Sequence, residues 1–479
     1  MKKSLLSMGL ALAGLCASVL YGEPSKVFDQ IKQAASPDEL YALLYAVPKG
    51  GDLHHHGGGS MPMEYALDYY LDAERNGGRQ FYIRTRIEAC PEHRLRPEVM
   101  YHVLGEWDWK ALDPCLQKQF KLVTELTEAE QAAWLSDLKI DQEGEGRDEF
   151  FEKIWWRMGP VFNDLSVGPD LLVENMKAMG KEGLRYIEMQ VIPWSHTDAE
   201  GNPVSAELWY ETYKKRLAQP DALATGVTMR FQVVIIRFLP EAEDHVRRAF
   251  EFIDKHRDLF VGINMAGRED EGKGQAARFT EVYREMQRLY PKIPLAIHAG
   301  EADEGNSNIR DTLALGADRI GHGLNLLKDT DTYLLMRQNQ YMVEVNLVSN
   351  KLLEYVPDPM QHPFPVLLRT GIPVSLNTDD RGMWDSTFTD EYYSAVRYYN
   401  LSWEELVKVG RDSLVYSFLE PSKKAELMAD YDAAVLEFES TYLTEDWRDA
   451  VQDVDVTVSN YGKENFGLTS AVNLGDPIE

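Results

Sequence analysis

Four short stretches of the chain end in residues able to do acid–base or metal chemistry. Leu295–Glu301 runs three apolar residues into His298, followed by Ala299, Gly300 and Glu301. Asp52–His56 places His54 and His56 on either side of His55. Arg319–Gly323 carries His322 between two glycines, and Val374–Asp380 ends in Asp379 and Asp380. An apolar run that stops at polar residues reads as a buried strand delivering side chains to a pocket. Side chains alternate along a strand, so His54 and His56 share a face while His55 points away. Two neutral imidazoles on one face suit a shared metal ion. Together the stretches offer three histidines and an acid, without thiols, beside a spare carboxylate and a spare imidazole. That is the pattern of a hydrolytic zinc site. Singly, each residue has a plainer reading: a hydrogen-bonded core histidine, a loop histidine between turn glycines, a solvated acidic turn. It is their joint placement at successive strand ends that argues for chemistry.

The elements that would position these residues alternate in type. Strand patterns are expected at the His54 segment, Arg185–Ile192, Thr228–Ile236, Leu259–Met265, the Leu295 and Arg319 segments, Tyr341–Asn346 and Ile372–Leu376. Helical patterns separate them, such as Glu241–His256 and Ala276–Leu289. Eight strands with helices between them predict an α/β fold, a TIM (β/α)8 barrel with its chemistry at the strand C-termini. The gap between the first two strands far exceeds one strand–helix unit of roughly 30 residues. It predicts an insertion at about 76–115, helical again from 116 to 182. Extra helices are expected at both ends. A helix start at Ser36–Glu39 lies in the N-terminal segment 23–47, and Ser402–Glu405 opens a helix beyond the last strand. The barrel is expected over 48–445, followed by an acidic tail of little pattern, 446–479.

A length of 479 residues allows two average domains or one large barrel with an insertion, and 44% hydrophobic residues provide for a sizeable core. The net charge of −28 argues against nucleic acid and anionic membrane as partners, and mildly against phosphorylated substrates. Residues 1–22 read as a secretory signal peptide: Lys2 and Lys3, an apolar run from Leu5 to Leu20, then small residues. The run is short for a membrane anchor, and Leu15 before Cys16 is large for a lipoprotein site. A periplasmic or secreted location follows. The two remaining cysteines, Cys90 and Cys115, are then expected to pair, with two buried free thiols as the alternative. No P-loop, GxGxxG, repeat or further membrane span is present, and the HxE…PCxxC site of cytidine deaminases is absent.

Pro48–Lys49, Leu53–His56, Ala266–Gly267, His298–Glu301, Gly321–Gly323 and Ser375–Asp380 occur in an order and spacing that resemble the adenosine deaminase family of metal-dependent hydrolases. The resemblance covers about residues 48–419, apart from the insertion. It implies one zinc ion held by His54, His56, His298 and Asp379. It implies Glu301 as the acid that protonates purine N1, and His322 as the residue that orients the attacking hydroxide. Asp380 would bond N7 and the Gly267 backbone N–H would meet N3, while His55 stays structural. The signal and the cysteine-bearing insertion resemble the growth-factor-like, extracellular branch. The helical segment used for dimerisation in that branch is short here, so a homodimer is the weaker expectation. The expected activity is hydrolytic deamination of adenosine and 2′-deoxyadenosine to the inosine product and ammonia. The alternatives are a deaminase of another aminopurine or modified adenosine, and an inactive, growth-factor-like barrel that only binds nucleosides. One departure stands out: the family's acid for the ribose 5′-hydroxyl is replaced by Gly57, Gly58 and Gly59. A substitute is sought in the insertion or in Glu188, Trp194 or His196.

Overall fold

Eight parallel strands form the centre of the protein in a computed structural model that describes residues 22–90, 100–158, 163–269, 274–302 and 305–469. They are β1 (Gly51–His56), β2 (Tyr186–Val191), β3 (Thr228–Ile236), β4 (Phe260–Ala266), β5 (Leu295–Ala299), β6 (Arg319–His322), β7 (Met342–Val345) and β8 (Val374–Leu376). They pair in chain order. The eight strands expected from the sequence are thus the eight of a TIM barrel. The signal-peptide segment 1–21 and residues 470–479 lie outside the described residues.

The strand patterns explain the layers. Phe231 on β3 packs against Trp209 of the helix Ala206–Leu217 and against Phe260 of β4. Full burial of such a side chain is worth roughly 1.5–3 kcal/mol. Glu188, Gln232 and Arg319 point inward and bond one another. Barrels of this kind usually fill the interior with aliphatic layers. Here the lower interior is a charged network: Arg319 reaches Glu188 at 2.5 Å and Glu344 at 2.6 Å. Removing one member would strand an uncompensated buried charge, so the network stands or falls together.

The ring closes between β8 and β1 through few bonds. An isolated bridge joins His55 to Asp379. The His56 N–H donates to Asp379 O at 3.0 Å and the Asp379 N–H to His54 O at 2.9 Å. Just below, the Leu53 N–H donates to the side chain of Asn377 at 3.0 Å.

The insertion differs from the expected bounds. Phe81–Arg84 pairs antiparallel with Val103–Gly105 and also with Phe120–Leu122, so the small sheet runs past residue 115 into the stretch expected to be helical. The third strand is too short to show periodicity. Its place comes from long-range bonds, including Arg84 Nη2 to Gln119 Oε1 at 2.6 Å. Tyr82 and Trp109 stack at 4.1 Å over its small core. Cys90 and Cys115 are disulfide-bonded across 25 residues. Chain entropy makes such a loop worth about 3–4 kcal/mol. Cys115→Ser is therefore expected to speed proteolysis of the insertion and leave the barrel's melting transition in place. A barrel transition that drops with it would show the two unfolding as one unit.

The ends are helical. Capping boxes at Ser36–Glu39 and Ser402–Glu405 open helices Pro37–Ala46 and Trp403–Val415, as their motifs predict. The segment after Trp447 is not a patternless tail. It carries helices Trp447–Gln452 and Asn460–Phe466, with Ser459 Oγ donating to Asp390 at 2.7 Å and Tyr461 buried. The second helix is bounded by local caps, Ser459 and Gly467, and its docking comes from these tertiary contacts, which local patterning does not reveal. Among the described residues no helix is long and apolar enough to cross a membrane.

Candidate active site

The barrel mouth at the strand C-termini gathers the residues singled out from the sequence. His54 and His56 end β1, His298 lies in β5, and Asp379 follows β8. One ligand atom from each lies within 4.8 Å of the others. Their hydrogen bonds fix which atoms face inward. His54 Nδ1 stands 2.8 Å from a carboxylate oxygen of Glu344, which holds a proton on that nitrogen and turns Nε2 toward the cluster. His298 Nδ1 likewise faces Asn264 Oδ1 at 2.8 Å. The two Nε2 atoms stand 2.9 Å apart, and His56 Nε2 is 3.2 Å from that of His298. Asp379 Oδ1 lies 3.2 Å from His56 Nε2 and 3.4 Å from His54 Nε2, while Ser349 donates to its other oxygen at 2.6 Å. Donor atoms crowded this closely repel one another unless a proton or a metal cation lies among them. Three imidazole nitrogens and one carboxylate oxygen are a donor set that fits zinc.

His55 points the other way. Its Nδ1 faces Asp52 Oδ2 at 3.0 Å and Thr378 Oγ1 at 2.9 Å, and its Nε2 accepts from Asn175 at 2.9 Å.

Glu301 is buried beside the cluster. Burial, with the charges of Asp379 and Glu269 nearby, holds its carboxyl well above the usual carboxylate range. Its Oε1 lies 4.0 Å from His322 Nε2. The tautomer of His322 is set by a relay. The Phe364 N–H donates to His362 Nδ1 at 3.0 Å, and His362 Nε2 then donates to Asn350 Oδ1 at 3.0 Å. The Asn350 amide donates to His322 Nδ1 at 3.1 Å, as does Asn346 at 3.2 Å. His322 therefore presents an Nε2–H to the site, and that atom has no partner among the described residues. Burial lowers its pKa to about 3, keeping the ring neutral. Both His322 (φ 63°) and Asp379 (φ 56°) adopt the left-handed conformation, a strain on the order of 1–3 kcal/mol that clusters at functional sites.

Asp380 Oδ1 is buried and unpartnered, and burial next to Asp379 raises its pKa well above normal. A Cβ on Gly59 would come within 1.8 Å of this oxygen, so only glycine lets Asp380 stand there. Gly267 follows β4 at the opposite rim and lines the same cavity.

The cavity, about 720 Å³, is roofed by the helical stretch that follows the insertion and precedes β2. Its helix Arg147–Arg157 contains a π-helical turn, Phe150–Ile154, a form often found at functional sites. Phe151 and Trp155 hang over the mouth, and Arg268 of the rim pairs with Asp148 of the roof at 2.8 Å. A Cβ on Gly58 would lie 3.1 Å from the Trp155 ring, so the roof fills the space a side chain there would take. Of the three substitutes considered for sugar recognition, Glu188 is held below by Arg319. Trp194 packs against Arg248, away from the cavity. His196 lines the wall, but both ring nitrogens face backbone carbonyls, Ile192 O at 2.7 Å and Asn163 O at 3.2 Å.

Sequence reasoning missed Glu344, Asn264, Asn350, His362 and the roof. The strand residues had a signal: an acid or amide breaking an apolar run at inward-facing parity. Asn350 and His362 had none, because their roles depend on loops meeting in space.

A family model for adenosine deaminase matches residues 127–434. The adenosine deaminase of Enterococcus faecalis is 28% identical over 268 residues, 53% of this chain and 73% of that protein. Adenosine deaminase 2 of Sus scrofa is 24% identical over 433 residues, 85% of this chain and 82% of that protein. The crystal structure of adenine deaminase from Arthrobacter aurescens shares the fold with a TM-score of 0.59 at 21% identity, covering 81% of this chain and 100% of that one.

Proposed function

Because the chain belongs to the adenosine deaminase family of hydrolytic deaminases, we propose that its substrates are adenosine and 2′-deoxyadenosine and its metal zinc. The observation that carries this reading is the convergence of three imidazole nitrogens and a carboxylate oxygen beside a buried Glu301, whose carboxyl is held well above the usual range, and a neutral His322. His54, His56, His298 and Asp379 would hold the ion. When bound there, zinc supplies the Lewis acidity that makes water a nucleophile near neutral pH.

The chain's residues supply the rest. Glu301 gives its proton to purine N1 as the water oxygen adds to C6. His322 donates its Nε2–H to that oxygen and steadies its charge. The proton left on the added oxygen passes to the amino group, the C6–N bond breaks to release ammonia, and the oxygen becomes the carbonyl of inosine, while the water's other proton restores Glu301. Asp380, kept protonated by burial, donates to N7, and the Gly267 N–H meets N3. The roof excludes water from the closed site.

Two neighbouring substrate classes fit less well. A free base such as adenine would leave much of a cavity of about 720 Å³ empty. For nucleotides, the net charge of −28 is unfavourable, and among the described residues the Lys or Arg side chain lining the cavity, Arg268, is paired with Asp148. The paired cysteines and the signal-like start support a periplasmic or secreted enzyme.

The direct test is an ultraviolet assay of zinc-loaded protein across adenosine, 2′-deoxyadenosine, adenine and AMP. Adenosine should be turned over fastest, and no turnover of either nucleoside would refute the reading. With Gly58 bearing no acid, 5′-deoxyadenosine should match adenosine within about tenfold in kcat/KM, or about 1.4 kcal/mol. A preference for adenosine beyond about a hundredfold would reveal a 5′-hydroxyl-binding group.

The relay to His322 makes a separate prediction. Asn350→Asp replaces the donor amide with a carboxylate that draws the proton onto Nδ1, leaving Nε2 bare. Wrong-tautomer substitutions are costly, so kcat should fall by about 10²-fold with zinc content unchanged. A change of less than about threefold would show that His322 does not donate from Nε2.

A further inference from the structure

β2 sends two polar side chains into the barrel, Glu188 and Gln190, and their fates differ. Glu188 accepts from Arg319 at 2.5 Å, Gln232 at 2.7 Å, Tyr186 at 2.9 Å and the Phe418 N–H at 2.6 Å. Gln190 lies nearer the mouth, paired in register with His56 of β1, and lines the cavity. It is 2% exposed, yet neither its Oε1 nor its Nε2 has a partner among the described residues. A buried polar group left unbonded costs on the order of 1–3 kcal/mol, and here one amide leaves both ends unbonded. Such groups are rare in folded proteins and call for an explanation. Of the other unpartnered atoms around the cavity among the described residues, His322 Nε2 and Asp380 Oδ1 meet substrate in the reading above, and Trp209 Nε1 has no role in it.

This inference rests on that reading, which fixes the orientation of the base. Glu301 follows β5 and faces N1, Gly267 follows β4 and faces N3, and Asp380 follows β8 and faces N7. Around the purine, N9 lies between N3 and N7 on the side away from C6. Around the barrel, the arc between β4 and β8 that avoids β5 consists of β3, β2 and β1. The bond from N9 to the sugar therefore points across β2. The neighbours on that arc include the apolar Val234 and Ile236 of β3, Gly57 and Gly58 beyond β1, and His56, which is engaged in the ligand cluster. Gln190 stands at its centre.

An amide with both ends free asks for a ligand offering a donor and an acceptor side by side. The base edges are already engaged by Glu301, Gly267 and Asp380, and a lone 5′-hydroxyl would satisfy one end. The two ring hydroxyls of a ribose satisfy both. We propose that Gln190 is a specificity-determining residue that binds the sugar, its Nε2 donating to one of the 2′- and 3′-hydroxyls and its Oε1 accepting from the other.

The test is Gln190→Met, which keeps length and removes both polar ends, assayed zinc-loaded on adenosine, 5′-deoxyadenosine and 2′,3′-dideoxyadenosine. The kcat/KM for the first two should fall by about 10- to 100-fold, the value of two hydrogen bonds. That for 2′,3′-dideoxyadenosine should change by less than about threefold, because its partner hydroxyls are already gone. Unliganded Gln190→Met should also melt at a higher temperature than wild type, since an unbonded amide has been replaced by an apolar group. An equal loss on all three nucleosides, no loss on any, or a lower melting temperature would overturn the proposal. If wild-type protein deaminates no nucleoside, the functional reading fails first and takes this inference with it. Wild-type turnover with a flat Gln190→Met profile removes the inference alone.

Discussion

Glu301→Gln is expected to purify with a full complement of zinc and to deaminate adenosine about 10²–10⁴ times more slowly. The substitution keeps the shape and the hydrogen-bonding edge of the side chain but removes its transferable proton. The four ligand atoms do not include Glu301, and their own partners Glu344, Asn264 and Ser349 are untouched. Because burial and nearby negative charge favour a neutral group at this position, the amide is a comfortable replacement and folding should not suffer. The loss should appear in kcat with little change in KM. Metal analysis of the same sample decides the point: protein arriving without zinc would make Glu301 a ligand and not an acid.

Asp379→Ala should lose both metal and activity. Asp379 Oδ1 is the negatively charged member of the donor set and lies within 3.4 Å of two imidazole nitrogens. Without it three neutral rings face one another with no carboxylate to offset a dication. Zinc should raise the melting temperature of wild type increasingly with the logarithm of its free concentration above Kd, and the variant should show no such shift at the same zinc concentrations. The backbone of Asp379 makes its bonds through N–H and C=O, so the variant has a reason to fold. A variant that still gained stability with zinc would place the carboxylate outside the coordination sphere.

The barrel could be read from the sequence because its strands are short apolar runs at regular spacing, and periodicity reports that directly. The ligands could be read because His54 and His56 share strand parity and each remaining site residue sits where an apolar run stops. What could not be read came from contacts distant in sequence. Phe120–Leu122 joins its sheet through Gln119 and Arg84 and carries no pattern of its own, while Asn460–Phe466 has only its caps, Ser459 and Gly467, as local signals and is anchored by Asp390. The relay from His362 to His322 joins a loop, a helix turn and a strand end. The π-helical turn of the roof looks like ordinary helix in sequence, since a single i→i+5 turn hardly disturbs the spacing of apolar residues.

The join between β8 and β1 has a consequence for how the molecule comes apart. It unites the first and last strands of the barrel, the strand pair of greatest separation along the chain, with an isolated bridge and a few hydrogen bonds. Contacts of that kind form late in folding and open early. Two of the residues that make it, His56 and Asp379, also reach into the ligand cluster, so an ion held there clasps the weakest stitch of the ring. Loss of the ion should therefore be felt as breathing: amide protons of His56 and Asp379 would exchange with solvent long before those of β3 or β4. The ring would part at the place where its chemistry is assembled, while the opposite wall keeps its shape.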